Sequence, residues 1–188
     1  MDDAPRVPIE TAEDWRSWLE ANASSCDGAW IVLWRPATGR ARISYDEAIL
    51  EALCFGWIDG QAKPLDDERS MLWFAPRSPS SAWAATNKAR VAKLTAEGRM
   101  RPEGQRLIDL AHANGMWSVL DGPEAGVVPP DLAAALDASP AAQATWDSWP
   151  PGVRKAALTS IALAKRPATK TARIARIVAD ATAGRRPG

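Results

Sequence analysis

The β-forming runs of this chain all fall before residue 77, and everything beyond reads as helix. Ala29-Trp-Ile-Val-Leu-Trp34 is a short apolar run rich in β-formers, stopped by Pro36 and Gly39. Ser70-Met-Leu-Trp-Phe-Ala75 is a second one, ended by Pro76, and Trp57-Ile-Asp-Gly60 reads as a strand or turn between them. Ala41-Arg-Ile43 offers a short partner strand after the Thr38-Gly39 turn. Strands gathered at one end and helices at the other exclude the regular alternation of a parallel βαβ protein. The expected class is α+β, a small antiparallel or mixed sheet with packed helices followed by an all-helical C-terminal region.

Helix boundaries are well marked. Thr11-Ala-Glu-Asp14 opens a helix with Trp15, Trp18 and Leu19 on one face. Ser44-Tyr-Asp-Glu47 is a capping box, and Tyr45, Ala48, Ile49, Ala52 and Leu53 follow at the spacing of one inward apolar face, with Gly56 as the stop. A helix from about Ala82 to Glu97 follows a loop rich in cap residues, Ser80 and Ser81 included, and Pro102 starts another through Asn114. Leu120–Pro130, with three prolines and two glycines, reads as a linker. Beyond it come helices over Asp131–Asp137, after Ser139 (read as a second capping box, Ser139-Pro-Ala-Ala-Gln143), over Pro151–Ala164 and over Ala168–Ala183. The expected division is 1–124, an α+β body, and 125–188, a basic helical region packed on it.

The chain has 23 Lys+Arg against 23 Asp+Glu, a net charge of zero that conceals a division. Residues 1–150 hold 14 basic and 22 acidic groups, and residues 151–188 hold nine basic groups and Asp180 alone, so −8 faces +8. A basic tail of this kind tracks phosphates or docks on its own acidic body. No aromatic residue follows Trp149, which argues against base stacking there. Two cysteines imply no disulfide framework, and an acidic N-terminus without an apolar segment implies no signal peptide. The expected location is the cytoplasm, with no transmembrane segment. The ten Trp against one Tyr and two Phe read mostly as core, with a minority left to line a ligand groove.

The densest polar constellation runs from Cys54 to Asn87. Gly56 and Gly60 bracket Trp57 and Asp59, holding one aromatic and one carboxylate in fixed directions. Arg77 precedes the helix carrying Ser81, Trp83 and Asn87, so an arginine and a helix start together suggest an anion or carboxylate pocket. The candidate ligand-binding residues are therefore Trp57, Asp59, Arg77, Ser81, Trp83 and Asn87. The competing reading makes Arg77 a structural partner of Asp59 or Asp66 and Ser80 or Ser81 a simple cap. Asp66-Asp67-Glu68 reads as a solvated turn, Cys54 as a core residue and His112 as a helix-end residue, so no catalytic set, metal site or cofactor is expected.

Tyr45-Asp-Glu-Ala48, Glu51-Ala-Leu-Cys-Phe-Gly-Trp-Ile-Asp-Gly60, Phe74-Ala-Pro-Arg77, Ser81-Ala-Trp83, Asn87, Gly98-Arg-Met100 and the late Ala164-Lys165, Thr169-Lys170 and Arg173-Ile174 carry a resemblance. Together they resemble the YdeI/OmpD-associated (OmdA) family of bacteriocin-protection proteins over nearly the whole chain. The resemblance implies a stress-protection or binding protein, non-enzymatic and linked to resistance to cationic antimicrobial peptides, with an unidentified small-molecule or peptide ligand. The family usually has Trp-Ser where this chain has Trp83-Ala84, and Thr-Arg where it has Thr169-Lys170. The alternatives are nucleic-acid binding through the basic C-terminal helices, or a small enzyme using the Asp/Arg/Trp region. Oligomeric state is not legible.

Overall fold

The computed structural model describes residues 3–187 and is α+β. The chain forms two compact units: one comprises the chain up to Ser81 with Thr86–Asn114, the other Ala82–Ala85 with the chain from Gly115 on.

In the first unit, strands β1 (Arg6–Pro8), β2 (Ala29–Trp34), β3 (Trp57–Pro64) and β4 (Arg69–Pro76) form a mixed sheet in the order β1-β2-β4-β3. β1 pairs parallel to β2, and the β2–β4 and β3–β4 ladders are antiparallel. The β1 pairing was invisible in the sequence, because Arg6-Val-Pro8 is too short and too polar to announce a strand. Ala41-Arg-Ile43, expected as a strand, is not one; Ile43 is instead buried in the core.

Helices α1 (Ala12–Asn22) and α2 (Tyr45–Cys54) start at reciprocal capping boxes, Thr11 with Asp14 and Ser44 with Glu47. α2 packs on α1, on β3 and on α4 (Pro102–Ala113). Trp15 is fully buried, its indole N–H donating to the Ala48 carbonyl at 3.1 Å and its ring 5.2 Å from Phe74. α1 is thereby tied to α2 and laid against the Phe74 face of the sheet. Glu51 on α2, 5% exposed, is flanked by Arg16 at 2.9 Å and by Arg99. A buried carboxylate is tolerable because two guanidiniums answer it.

The opposite sheet face carries Trp30, Val32 and Met71. Trp73 lies there against Trp30, with ring centroids 5.2 Å apart. A Cβ at Gly28 would stand 2.1 Å from the Trp73 ring, and one at Gly60 2.8 Å from it. The indole fits only because both neighbouring positions lack side chains.

Helix α3 (Ala85–Ala96), whose first residue belongs to the second unit, starts three residues later than expected. Ser80 and Ser81 do not cap it: the Ser78 and Ser80 hydroxyls bond each other at 3.0 Å, and the Ser81 N–H donates to the Ser78 carbonyl. The Ala85 N–H is instead met by the Glu124 carboxylate at 3.0 Å.

The second unit holds α5 (Asp121–Glu124), α6 (Pro130–Asp137), α7 (Pro140–Ser148), α8 (Pro151–Ala162) and α9 (Pro167–Thr182). α5 lies inside the stretch read as a linker. Leu136, Trp146, Trp149, Leu158, Ile161 and Ile177 are buried in a common core. Ser139 caps α7 by accepting the Ala142 N–H, but Gln143 does not complete the expected capping box. It is the fourth residue past the cap rather than the third, and it bonds Asp147.

Candidate functional site

The register places Asp59 opposite Phe74, so both side chains leave the sheet on its helix-covered face. Asp59 stands just before the register shift in β3, where the strand reaches the start of α2. Tyr45, the first residue of α2, donates its hydroxyl to the Asp59 carboxylate. Tyr45 is 52% exposed, so the sequence reading that placed it on the inward face of α2 is corrected. The amphipathic spacing is genuine, but a first-turn residue lies outside the buried stretch of this helix.

Electrostatics follow from that contact. The hydrogen bond to Asp59, with desolvation and the carboxylate's charge behind it, pushes the Tyr45 phenol up to about 12, against a small opposing pull from Arg90. Arg77 is 6% exposed, and burial draws its guanidinium down to about 10 while the nearby Asp59 charge opposes the shift. At neutral pH the cluster therefore presents a phenol that holds its proton and a charged guanidinium on either side of Asp59. The Arg77 backbone N–H donates to the Gly56 carbonyl at 2.9 Å, which fixes it beside the start of β3.

Asn87 and Arg90 complete this corner from α3. Arg90 Nε and Nη2 both reach Asp46 Oδ1, at 2.9 and 2.7 Å, while Nη1 donates to Asn87 Oδ1 at 2.8 Å. One planar guanidinium thus clasps the start of α2 to α3. Tyr45, Asp46 and Arg90 were missed by the sequence reading. The available signal was the Asn87–Arg90 spacing of three on a helix, which places the two side by side.

The remaining candidates go elsewhere. Trp57 is 1% exposed in the core, its N–H donating to the Ala23 carbonyl at 3.3 Å and its ring edge-on to Trp15 and Trp18. Ser81 is half-buried in the Ser78–Ser81 turn. Trp83 belongs to the second unit, where it is buried with its ring 5.2 Å from Trp117. Of the six residues, Asp59, Arg77 and Asn87 are thus grouped in the first unit with Tyr45, Asp46 and Arg90. Asp66 takes the Arg69 side chain and two backbone N–H groups, the signature of a structural turn rather than of an Arg77 partner. Cys54 is buried with its thiol pushed up by burial and then by Glu51, and His112 is exposed on α4.

The charge division also changes when it is counted by unit. The second unit holds nine basic and six acidic residues, a net of +3, and the first 14 against 17, a net of −3. Lys155 pairs with Glu124, Lys170 with Asp131 and Arg185 with Asp180, all within the second unit. Among the described residues no helix is long and apolar enough to cross a membrane.

Residues 7–107 match the family model described as a domain of unknown function (DUF8412), and residues 125–184 match the model described as bacteriocin-protection, YdeI or OmpD-associated (OmdA). The chain belongs to the DUF8412 family, and its residues 125–184 are similar to the OmdA family. The stretch similar to OmdA takes in Ala164-Lys165, Thr169-Lys170 and Arg173-Ile174, whereas Glu51–Gly60 and the other central motifs lie in the DUF8412 region. The resemblance to the OmdA family thus stands, over a shorter stretch than the sequence motifs suggested. No curated protein and no solved structure matches the chain.

Proposed function

We propose that this protein is a non-enzymatic binding protein of the bacteriocin-protection type, acting in the cytoplasm to raise resistance to cationic antimicrobial peptides. The observation that carries this reading is the OmdA match over residues 125–184. The protective effect is indirect, since the chain as a whole is neutral, −3 on one unit and +3 on the other, and offers a cationic peptide no net attraction. The ligand of the first unit is received at the Asp59, Arg77 and Asn87 corner, where Tyr45 keeps the carboxylate oriented and Arg77 offers a buried positive charge.

The test is expression of the whole chain in a sensitive bacterium challenged with a cationic peptide antibiotic. The expected result is survival at concentrations that kill the control, lost on joint Asp59→Asn and Arg77→Gln substitution in a chain that still folds. Unchanged sensitivity on expressing the native chain sinks the protective role; full protection by the double variant sinks the site.

A further inference from the structure

Tyr45 stands at the middle of the Asp59 corner. Its hydroxyl goes to Asp59 Oδ2, and Arg90 lies close enough to pull on the phenol. Arg90 in turn binds Asp46, the next residue in the chain, and Asn87 on α3. The polar tip of the tyrosine is thus tied down, while the side chain stays 52% exposed.

Two polar atoms around it are aimed by their neighbours and keep capacity. A guanidinium only donates, so the Arg90 bond at 2.8 Å falls on Asn87 Oδ1 and turns the amide NH2 the other way. The tyrosine hydroxyl likewise commits Asp59 Oδ2 and leaves Oδ1. Among the described residues neither Asn87 Nδ2 nor Asp59 Oδ1 takes a hydrogen bond. The corner therefore offers one aimed amide donor, one aimed carboxyl acceptor and an exposed aromatic ring.

Charge narrows the class of ligand. The Asp59 charge is answered by Arg77, and that of Asp46 by Arg90 at 2.7 Å. A corner balanced in this way gives a small ion no net pull. With Oδ2 committed to Tyr45, Asp59 also lacks the open pair of oxygens that a guanidinium grips. Hydroxyl groups, which both donate and accept, suit a single acceptor beside a single donor. The C–H face of a sugar ring, weakly positive, suits the negative face of a phenol ring.

We propose that the Asp59 corner binds a neutral pyranose sugar, one hydroxyl donating to Asp59 Oδ1, another accepting from Asn87 Nδ2, and the C–H face of the ring laid on Tyr45. This rests on the reading of the corner as the ligand site and adds the chemical class of the ligand. Arg90 is a positioning residue, since it fixes the amide without meeting the sugar.

The experiment is NMR titration of the isotope-labelled whole chain with the methyl glycosides of glucose, galactose, mannose and N-acetylglucosamine. Cyclohexanol, a ring of like size without neighbouring hydroxyls, is the control. At least one glycoside shifts the Asn87 side-chain amide signal saturably, and cyclohexanol does not. In the variants, affinity is read from saturation transfer to the sugar. Asp59→Ala weakens binding about tenfold, and Tyr45→Ala does so by a similar factor, of which Tyr45→Phe restores a part because it keeps the ring. Asn87→Ala, outside the buried core, weakens binding about threefold or more and carries the test if Asp59→Ala does not fold. No saturable shift with any of the four glycosides, cyclohexanol binding as tightly, or affinity unchanged by Tyr45→Ala and by Asn87→Ala overturns the proposal. Should every glycoside fail while the joint Asp59→Asn and Arg77→Gln variant still loses protection, the corner stands as a site and the sugar alone falls. Sugar binding that this variant loses while protection persists keeps the sugar site and removes its protective role.

Discussion

The two units start their helices by different chemistry. α1 and α2 begin at side-chain boxes in which a hydroxyl and a carboxylate exchange hydrogen bonds with the backbone. α6, α7, α8 and α9 each carry proline at the first position, and of these only α7 has a side-chain cap, the hydroxyl of Ser139. Proline starts a helix by fixing φ and by lacking an N–H that would otherwise need a partner. Their interiors differ in the same sense. The first unit buries a carboxylate between two arginines, while the core of the second is aliphatic and indole. One unit is held partly by groups that titrate and the other mainly by groups that do not, although α4 in the first unit shares the proline device.

The comparison breaks most visibly at the cores. Trp15→Ala and Trp146→Ala should each cost about 3–5 kcal/mol, read as a lowered unfolding midpoint in denaturant; equal tolerance to both would mean that the cores described are not the ones that matter. Glu51→Gln comes next, at about 3 kcal/mol, because it leaves Arg16 and Arg99 around a neutral amide. A reciprocal Glu51→Leu variant sharpens the point: if it is as stable as the native chain, the charge is not needed.

Tyr45 gives a cleaner readout, since it is the one tyrosine in the sequence. Absorbance of the phenolate should titrate with a midpoint near 12, and Asp59→Asn should bring it back toward 10. A folded-state value raised above the unfolded one means that the contribution is intact below pH 10 and fades as pH rises through 12. A native midpoint near 10 would remove the Tyr45–Asp59 contact.

The smallest effects lie at the helix starts. Thr11→Ala and Ser44→Ala should each cost about 1 kcal/mol, and Pro167→Ala about half that through the unfolded chain. Asp14 and Glu47 are held below the usual carboxylate range by their side-chain and backbone hydrogen bonds to Thr11 and Ser44. Their contribution is in place above about pH 4 and is lost as pH falls through the lowered values. Acid should therefore fray α1 and α2 ahead of α8 and α9, followed by amide exchange; simultaneous loss would contradict the contrast.

Much of the fold could be read in advance where a local rule decides it. Both boxes, the β2 and β4 runs, the stop at Gly56 and the late helices obey spacing and cap chemistry. What failed depends on distant partners. The backbone of β1 gains its strand character from Trp30 and Val32, more than twenty residues on. The start of α3 is set by Glu124 rather than by the serines before it. At the candidate site the sequence named Asp59, Arg77 and Asn87, yet it could not pair Asp59 with a tyrosine fourteen residues earlier, nor foresee that Trp57 would turn inward to Ala23.

Trp73 bears on how the sheet avoids misassembly. It stands on β4, whose two neighbours are β2 and β3, and its ring spans from Gly28, ahead of β2, to Gly60 within β3. A slip of one residue in either ladder would replace a glycine beneath the indole with Asp27, Ala29, Asp59 or Gln61. A one-residue slip also turns every side chain of the moved strand to the opposite face. A single indole thus proofreads the alignment of two separate pairings, and alanine at either glycine should yield a population of misaligned chains as well as a weakened native one.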